Sequence, residues 1–267
     1  TYCSIDPAFL LFDAFDPTVP VGGTWTNAAG APVGGTFTPG STPSGVYTYT
    51  LEATSPCSDG IHLVTISIQE APDAGIDGSM TLCSSASAVD LSDGLTGTPD
   101  AGGTWTNPLG SATSNVLDPS TSAGGVFEYT ISGGGICPDD QASVTVEVVQ
   151  AAWSGTGGVV SLCSNESAVD PSLWLGGSPD PGGGWTDPDG ATITSVDPGS
   201  AVNGTYSYTV AGTAPCPDSN TTVQLSITAP PVAGADGTVD LCAGDAPLVL
   251  SASLLSGASN GGQLTDG

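Results

Sequence analysis

Short stretches in which apolar and polar residues alternate recur along the chain, each bounded by glycine or proline. The strongest has two aromatic residues on one face and occurs three times, at 46–51, 126–131 and 205–210. A later stretch repeats an apolar face as Val64, Ile66 and Ile68, then Val144, Val146 and Val148, then Val223, Leu225 and Ile227. A period of two with aromatic and β-branched residues predicts half-buried strands. Because no segment has a helical period, the pattern predicts an all-β protein.

A short motif of two glycines, a threonine or glycine, a tryptophan and a threonine recurs at a constant interval. Its tryptophans are Trp25, Trp105 and Trp185, so both intervals are 80 residues, and a related stretch without tryptophan follows at 261–265. Repetition at so long a period predicts tandem domains. We expect each tryptophan to lie on a strand and to anchor the core of its own domain.

Each period contains about seven strand patterns separated by turns rich in glycine and proline. This number predicts a two-sheet sandwich of the immunoglobulin-like kind. The predicted fold is an all-β tandem array of such domains, each about 80 residues long with one intradomain disulfide. The predicted domains are repeat 1 at 1–71 with a truncated start, repeat 2 at 72–151, repeat 3 at 152–230 and a truncated repeat 4 at 231–267.

The seven cysteines follow the same period. A first set consists of Cys3, Cys83, Cys163 and Cys242, and a second set of Cys57, Cys137 and Cys216. We predict one disulfide within each repeat, namely Cys3–Cys57, Cys83–Cys137 and Cys163–Cys216. Cys242 is then left over, because the sequence ends before its partner would arrive. Zinc is the alternative use of recurrent cysteines, but the chain has no Cys-x-x-Cys pair or Cys/His cluster.

Disulfides predict an oxidising compartment, and therefore a protein that is secreted or on a cell surface. The chain has 27 acidic residues and no lysine or arginine, which gives a formal net charge of −27. Such a charge excludes nucleic acid and anionic lipid as partners. No apolar run approaches the roughly 20 residues that span a bilayer. The sequence opens inside a repeat, so we expect both ends to be cut from something longer.

The acidic connectors between repeats could bind calcium, since a hard cation prefers carboxylate and carbonyl oxygens. The candidate ligands are Asp73, Asp77 and Asp236. The connector at 152–158 has no acid at the equivalent positions, so the site cannot be general to all junctions. Another acid follows each second-set cysteine by two residues, at Asp59, Asp139 and Asp218, where a loop cap is the simpler interpretation.

Catalysis has little support in the sequence. His62 is the single histidine, and its equivalents in the next repeats are Ala142 and Thr221. No pair of carboxylates recurs in a pattern that indicates acid–base chemistry. We therefore predict that the chain is not an enzyme and binds no organic cofactor.

Three stretches together resemble the tandem repeats of giant Bacteroidota surface adhesins. They are the stretch at 233–242 that ends in Asp-Leu-Cys, the Gly-Thr-Pro-Asp-Ala-Gly-Gly-Thr-Trp-Thr stretch at 97–106, and the Tyr-x-Tyr-Thr strand with its Pro-Cys-x-Asp turn. Proteins of this family often end in a gliding-motility-associated C-terminal domain and are similar to SprB-type filaments. The resemblance covers essentially the whole chain. It implies type IX secretion to the cell surface and an adhesive or structural role.

Three functions remain open on these grounds. The first is an extracellular structural or adhesive protein, as the repeat segment of a surface stalk or filament whose ligand, a surface or glycan, binds outside this chain. The second is a self-assembling fibre or sheath subunit whose partners are neighbouring copies of the same repeats. The third is a set of carbohydrate-binding modules, which would require tryptophans that are open to solvent.

Overall fold

The computed structural model describes residues 1–247 and 257–259 of the chain. In the described residues all regular elements are strands, apart from three short 3-10 helices at Leu11–Ala14, Leu91–Gly94 and Pro171–Trp174. Each of these helices is four residues long. None of them has the length or the apolar content needed to cross a membrane.

Repeat 2 shows the architecture most completely. Its strands are β9 (Gly78–Cys83), β10 (Val89–Asp90), β11 (Thr104–Thr106), β12 (Ala112–Thr113), β13 (Val116–Leu117), β14 (Gly125–Ile131) and β15 (Asp140–Val149). Five of them form one sheet in the order β12-β11-β14-β15-β9, and β10 pairs with β13 in a second sheet. All pairs are antiparallel except β15 with β9, which is parallel.

Repeats 1 and 3 follow the same plan. Repeat 1 contains β1 (Tyr2–Cys3), β2 (Phe9–Leu10), β3 (Thr24–Thr26), β4 (Pro32–Val33), β5 (Thr36–Phe37), β6 (Gly45–Leu51), β7 (Gly60–Ile66) and β8 (Ile68–Gln69). Repeat 3 contains β16 (Val159–Cys163), β17 (Gly184–Thr186), β18 (Thr192–Ile193), β19 (Gly204–Val210) and β20 (Ser219–Thr228). In every repeat the first strand runs parallel to the end of the last one. The chain is therefore an all-β tandem array of immunoglobulin-like sandwiches, as predicted.

Each repeat has its own core. In repeat 2 the inward residues of the large sheet, which include Trp105, Tyr129 and Val144, pack against Leu91 and Leu117 from the opposite layer. The cores of repeats 1 and 3 are built from equivalent residues. Each core draws only on residues inside one of the predicted ranges 1–71, 72–151 and 152–230, although their bounds stay predictions. The predicted repeat 4, 231–267, lies partly outside the described residues.

The chain divides into two compact units, Thr1–Gln150 and Ala151–Gly267. The first contains repeats 1 and 2 together with the junction between them. Each repeat has two ends, which we name by its last strand. The entry end is where the last strand begins, and the exit end is where it finishes. The junction thus joins the exit end of repeat 1 to the entry end of repeat 2.

Candidate interaction site at the repeat junction

Cys3 is fixed at the exit end of repeat 1. It is the last residue of β1 and lies opposite Gln69, the last residue of β8. The next residue, Ser4, donates its backbone N–H to the carbonyl oxygen of Gln69 at 2.8 Å. The Asp6 carboxylate accepts a hydrogen bond from the Cys3 N–H at 2.8 Å. The turn after β1 therefore holds the Cys3 side chain in one place, and Cys3 is fully buried.

Cys137 lies at the entry end of repeat 2, in the turn between β14 and β15. The Asp139 carboxylate accepts the Gly133 N–H at 2.9 Å, and the Gly133 carbonyl accepts the Cys137 N–H at 3.2 Å. Gly133 cannot carry a side chain, because a Cβ there would lie 2.2 Å from the Cys137 carbonyl oxygen. These contacts fold the turn tightly and fix the position of the cysteine.

A disulfide joins these two cysteines across the junction. The Cα atoms of Cys3 and Cys137 are 5.0 Å apart, within the usual range for a disulfide. Beside the bridge, the Gln69 side-chain amide donates to the Gly133 carbonyl at 2.7 Å. The Cys137 sulfur lies 3.5 Å from the Gln69 carbonyl oxygen. Repeats 1 and 2 are thus linked by a buried covalent bond as well as by the connector.

The predicted pairing within repeats is wrong. The bridge between Cys3 and Cys137 contradicts both Cys3–Cys57 and Cys83–Cys137. The predicted Cys163–Cys216 bridge is also wrong, because Cys163 is a free thiol. Cys57 and Cys242 are free as well, whereas Cys83 and Cys216 are both disulfide-bonded.

The parallel pairing of the first and last strands explains the error. In repeat 2, Cys83 lies opposite Val149, nine residues beyond Asp140 at the start of β15. At roughly 3.3 Å per residue, that end of the strand is roughly 30 Å from the turn that carries Cys137. A disulfide requires Cα atoms less than about 7 Å apart. The two cysteines of one repeat therefore lie at opposite ends of the sandwich.

The tryptophans that the sequence identifies as core anchors lie in equivalent places. Trp25, Trp105 and Trp185 are 7%, 4% and 4% exposed. Each indole packs against a tyrosine of the neighbouring strand in the sheet, with ring centroids 5.1 to 5.2 Å apart; these tyrosines are Tyr49, Tyr129 and Tyr208. Indoles that are buried in this way are not open for stacking on a sugar.

The same tyrosine explains the glycine pair in front of each tryptophan. A Cβ on Gly103 would lie 2.5 Å from Cζ of Tyr129 and 2.6 Å from the Thr130 carbonyl oxygen. The Tyr129 hydroxyl accepts the Gly103 N–H at 2.9 Å and donates to the Asp100 carbonyl at 2.7 Å. Gly102 before it has a φ of 100°, which favours glycine. The two glycines of the motif thus leave the space that the buried tyrosine side chain occupies.

A second tyrosine position is also protected from water. Burial raises the pKa of Tyr47 and of its equivalent Tyr206 above the ordinary value, and nearby Asp187 raises the pKa of Tyr206 further. Their hydroxyls donate to the carbonyls of Pro43 and Val202, at 2.7 and 3.1 Å. Both hydroxyls are therefore fixed against the loop that precedes the strand.

The calcium candidates make hydrogen bonds to backbone groups. The Asp73 carboxylate accepts the Gly75 N–H, and the Asp77 carboxylate accepts the Ser143 N–H at 2.7 Å. Asp236 is exposed. In the described part of the chain, no three His, Cys, Asp or Glu side chains lie together as a metal site would require. Asp73 and Asp77 hold the connector in place, and calcium binding stays a prediction.

The acids that follow the second-set cysteines are loop caps, as expected. Asp59, Asp139 and Asp218 each accept a backbone N–H from the residue six positions earlier, at 2.9 Å in all three repeats. His62 is exposed on β7, where its ring lies 5.4 Å from that of Phe15. The sequence patterns thus located the turn that carries the cysteine, but did not identify the partner of that cysteine.

No family model matches the chain, and no curated protein matches it. Solved structures with a similar fold include the I-band fragment I67–I69 of titin, with 13% identity, a TM-score of 0.43, and coverage of 79% of this chain and 89% of that chain. Another is the insect immune protein hemolin, with 14% identity, a TM-score of 0.37, and coverage of 69% and 56%. The N-terminal four immunoglobulin domains of Dscam1 isoform 6.9 give 10% identity, a TM-score of 0.31, and coverage of 77% and 64%. The strand order of each repeat is what defines the fold as immunoglobulin-like.

Proposed function

We propose that this chain is an extracellular structural protein, the repeat segment of a cell-surface adhesin stalk or filament, and that it is not an enzyme. The observation that supports this most is the position of the Cys3–Cys137 bridge. It links consecutive repeats, whereas a bridge within one repeat would only stabilise that repeat. A covalent link between repeats suits a protein that has to transmit force along a row of domains.

The mechanical consequence follows from the connectivity. A pulling force that enters near residue 1 passes from Cys3 through the sulfur–sulfur bond to Cys137. The 134-residue span between the two cysteines is then excluded from extension while the bridge is intact. That span corresponds to roughly 450 Å of extended chain. Repeat 1 and most of repeat 2 are thereby shielded from unfolding under load.

Composition and redox chemistry support the same role. Four of the seven cysteines are disulfide-bonded, which is typical of proteins in oxidising compartments. The absence of lysine and arginine from the sequence leaves no site for trypsin-like proteases and keeps neighbouring molecules apart by charge repulsion. Export by the type IX route is the part of the proposal that derives from the resemblance to Bacteroidota adhesins.

Single-molecule pulling of the chain by its two ends tests the mechanical role. With the disulfides intact, we expect the extension to lack at least the roughly 450 Å that the Cys3–Cys137 bridge encloses. A reducing agent should restore this length. If the oxidised chain extended to its full contour length, the bridge would carry no load and the stalk proposal would fail.

The extracellular location has its own test. Antibodies against the chain should label intact cells of the organism that produces it, and external proteinase K should remove the label. Labelling only after permeabilisation would contradict a surface role.

A further inference from the structure

Repeat 2 has a pocket beside its core tryptophan. The pocket has a volume of about 530 Å³ and is bordered by the 3-10 helix Leu91–Gly94, by the loop at 99–103 and by strands β11 and β12. Trp105 and Tyr129 both line it, and most of the lining is apolar. All of its lining residues belong to repeat 2, so the pocket forms without any neighbouring repeat. A concave site with apolar walls and a few polar groups is the usual form of a binding site.

Two phenyl rings pack against the equivalent tryptophan and tyrosine in repeat 1. The ring of Phe15 stacks on Trp25, with centroids 5.3 Å apart and planes at 12° to each other. The ring of Phe12 makes an edge contact with Tyr49, with centroids 5.6 Å apart. Both phenylalanines are partly buried at the border of the core. Repeat 1 therefore surrounds its tryptophan and tyrosine with aromatic rings from its own chain.

Repeat 2 has smaller side chains at the same two positions. Ser92 and Leu95 lie 80 residues after Phe12 and Phe15, and both line the pocket. A serine side chain and a leucine side chain together occupy much less volume than two phenyl rings. The pocket is therefore the space that aromatic rings fill in repeat 1.

Repeat 3 brings an aromatic ring to its tryptophan from a different position. The ring of Trp174, in the 3-10 helix, lies 6.0 Å from that of Trp185 at an angle of 79°. The residue at this position in repeat 2 is Gly94, where a Cβ would lie 2.5 Å from Cγ1 of Val144. Repeat 2 thus has no room for a side chain at the position from which repeat 3 supplies its ring.

The core tryptophan of repeat 2 has fewer aromatic neighbours than the other two. In the part of the chain that the structure describes, the only ring beside Trp105 is that of Tyr129. Trp25 and Trp185 each contact their tyrosine and a further ring. Because two repeats of three close this place with an aromatic side chain, an aromatic side chain is the group whose shape fits the pocket. Contacts between aromatic rings also add to the free energy gained by burying them.

The pocket lies among acidic side chains. Asp100 lines it, and Asp93 follows Ser92 in the 3-10 helix. Both of these aspartates are exposed. The sequence has no lysine or arginine that could neutralise them. A polypeptide segment that carries lysine or arginine beside an aromatic residue is therefore attracted to this site, whereas an acidic segment is repelled.

We propose that the pocket of repeat 2 binds an aromatic side chain of a partner protein, from a segment in which lysine or arginine flanks the aromatic residue. The ring takes the space that Phe12 and Phe15 fill in repeat 1, and lies against Tyr129. The flanking cations lie near Asp93 and Asp100. Repeat 2 is then a recognition module within the array. The inference does not depend on the adhesive or stalk role.

A peptide titration on the full chain tests the proposal. The probe is a blocked pentapeptide, Gly-Lys-Phe-Lys-Gly, added to the isotope-labelled 267-residue protein with its disulfides intact. The readout is the NMR signal of the Gly103 N–H, which donates to the Tyr129 hydroxyl at 2.9 Å. We expect a saturable shift of this signal with a dissociation constant of about 1 mM. The Gly23 N–H, which makes the equivalent bond at 2.6 Å in repeat 1, should not move.

Two control peptides separate the parts of the recognition. Replacing phenylalanine by leucine keeps the charge, and we expect binding about tenfold weaker because the aromatic contact is lost. Replacing both lysines by glutamates keeps the ring, and we expect binding about tenfold weaker at low salt. Equal binding of either control peptide would overturn the proposal. Tighter binding of benzyl alcohol than of the probe would overturn it as well, since the pocket would then be a site for a small aromatic molecule.

Variants of the protein test the location of the site. Ser92→Phe introduces the residue of repeat 1 and fills the pocket, so we expect the Gly103 shift to require at least about tenfold more peptide. Ser92→Ala leaves the pocket open and should change the affinity by less than about twofold. In the reciprocal protein, Phe12→Ser with Phe15→Leu, the Gly23 N–H should now shift with the peptide. Undiminished binding to Ser92→Phe, or an unmoved Gly23 signal in the folded reciprocal protein, would overturn the assignment of the pocket.

Discussion

Repeats 1 and 2 have the same interior but differ at the entry end. In repeat 2 the connector lies against the last strand, where Asp140 accepts the Ala74 N–H at 2.7 Å, and Ala142 is buried beside it. In repeat 1 the described residues provide no such cover, and His62 is exposed at the position of Ala142. Cys137 is bonded, whereas Cys57 is free. The comparison indicates that a repeat is completed by the segment that enters it and by the exit end of its neighbour.

The largest predicted effect tests the tryptophan-centred core that repeats 1 and 2 share. We expect Trp105→Ala to cost about 3–5 kcal/mol of unfolding free energy in repeat 2, and Trp25→Ala a similar amount in repeat 1. Hydrogen exchange resolved by repeat measures each loss. Leu109→Ala is the control, since Leu109 is 89% exposed and should change stability by less than about 0.5 kcal/mol. A much smaller loss for Trp25 than for Trp105 would show that the two interiors differ.

The next largest loss of stability is expected at the glycine that lies beside the buried tyrosine. Gly183→Ala would place a Cβ 2.3 Å from Cζ of Tyr208, and we expect a loss of about 1–3 kcal/mol. The adjacent Gly184 has open space around its Cβ position, and the other repeats have threonine there. Gly184→Ala should therefore be nearly neutral in the same denaturation experiment. Equal costs for both variants would remove the steric explanation of the motif.

A substitution at the entry side tests the difference between the repeats. Ala142→His introduces the residue of repeat 1 into the covered edge of repeat 2, and overpacking should cost about 1–3 kcal/mol. His62→Ala makes the reverse change in repeat 1, where the side chain is exposed, and should alter stability by less than about 0.5 kcal/mol. Repeat-resolved hydrogen exchange would again report both. If histidine were tolerated equally well at both positions, the connector would not cover the last strand of repeat 2 at Ala142.

The smallest effect concerns the tyrosine hydroxyl. Tyr129→Phe leaves the Gly103 N–H and the Asp100 carbonyl without their partner, and we expect a loss of about 1–2 kcal/mol. Tyr208→Phe should cost less, because the Tyr208 hydroxyl is 3.4 Å from the Asp180 carbonyl oxygen. Thermal unfolding of the two variants gives the comparison. A larger loss for Tyr208 would contradict the role assigned to the bond.

The sequence predicted the strands well wherever they carry a long alternating pattern. The apolar faces at 126–131 and 144–148 lie within β14 and β15, the central pair of the large sheet of repeat 2. Strand β12, at Ala112–Thr113, was not predicted, because two residues cannot show a period. The 3-10 helices were not predicted either, since four residues are too few for a helical pattern.

The disulfide partner could not be read from spacing. The regular interval between Cys3 and Cys57 favours a bridge within the repeat, and what excludes that bridge is the parallel pairing of β1 with β8. Strand direction within a sheet is a tertiary property, which the alternation of single residues does not record. One signal was present, because Cys83 and Cys163 each follow an apolar strand pattern and lie at the end of that strand.

Disulfide mapping tests the central claim most directly. The oxidised chain is digested with pepsin at low pH, because it offers trypsin no lysine or arginine and because acid suppresses exchange. Mass spectrometry should then find a peptide that links Cys3 to Cys137, together with free thiols at Cys57 and Cys163. A peptide that links Cys3 to Cys57 would show that each repeat closes on itself and would contradict the account.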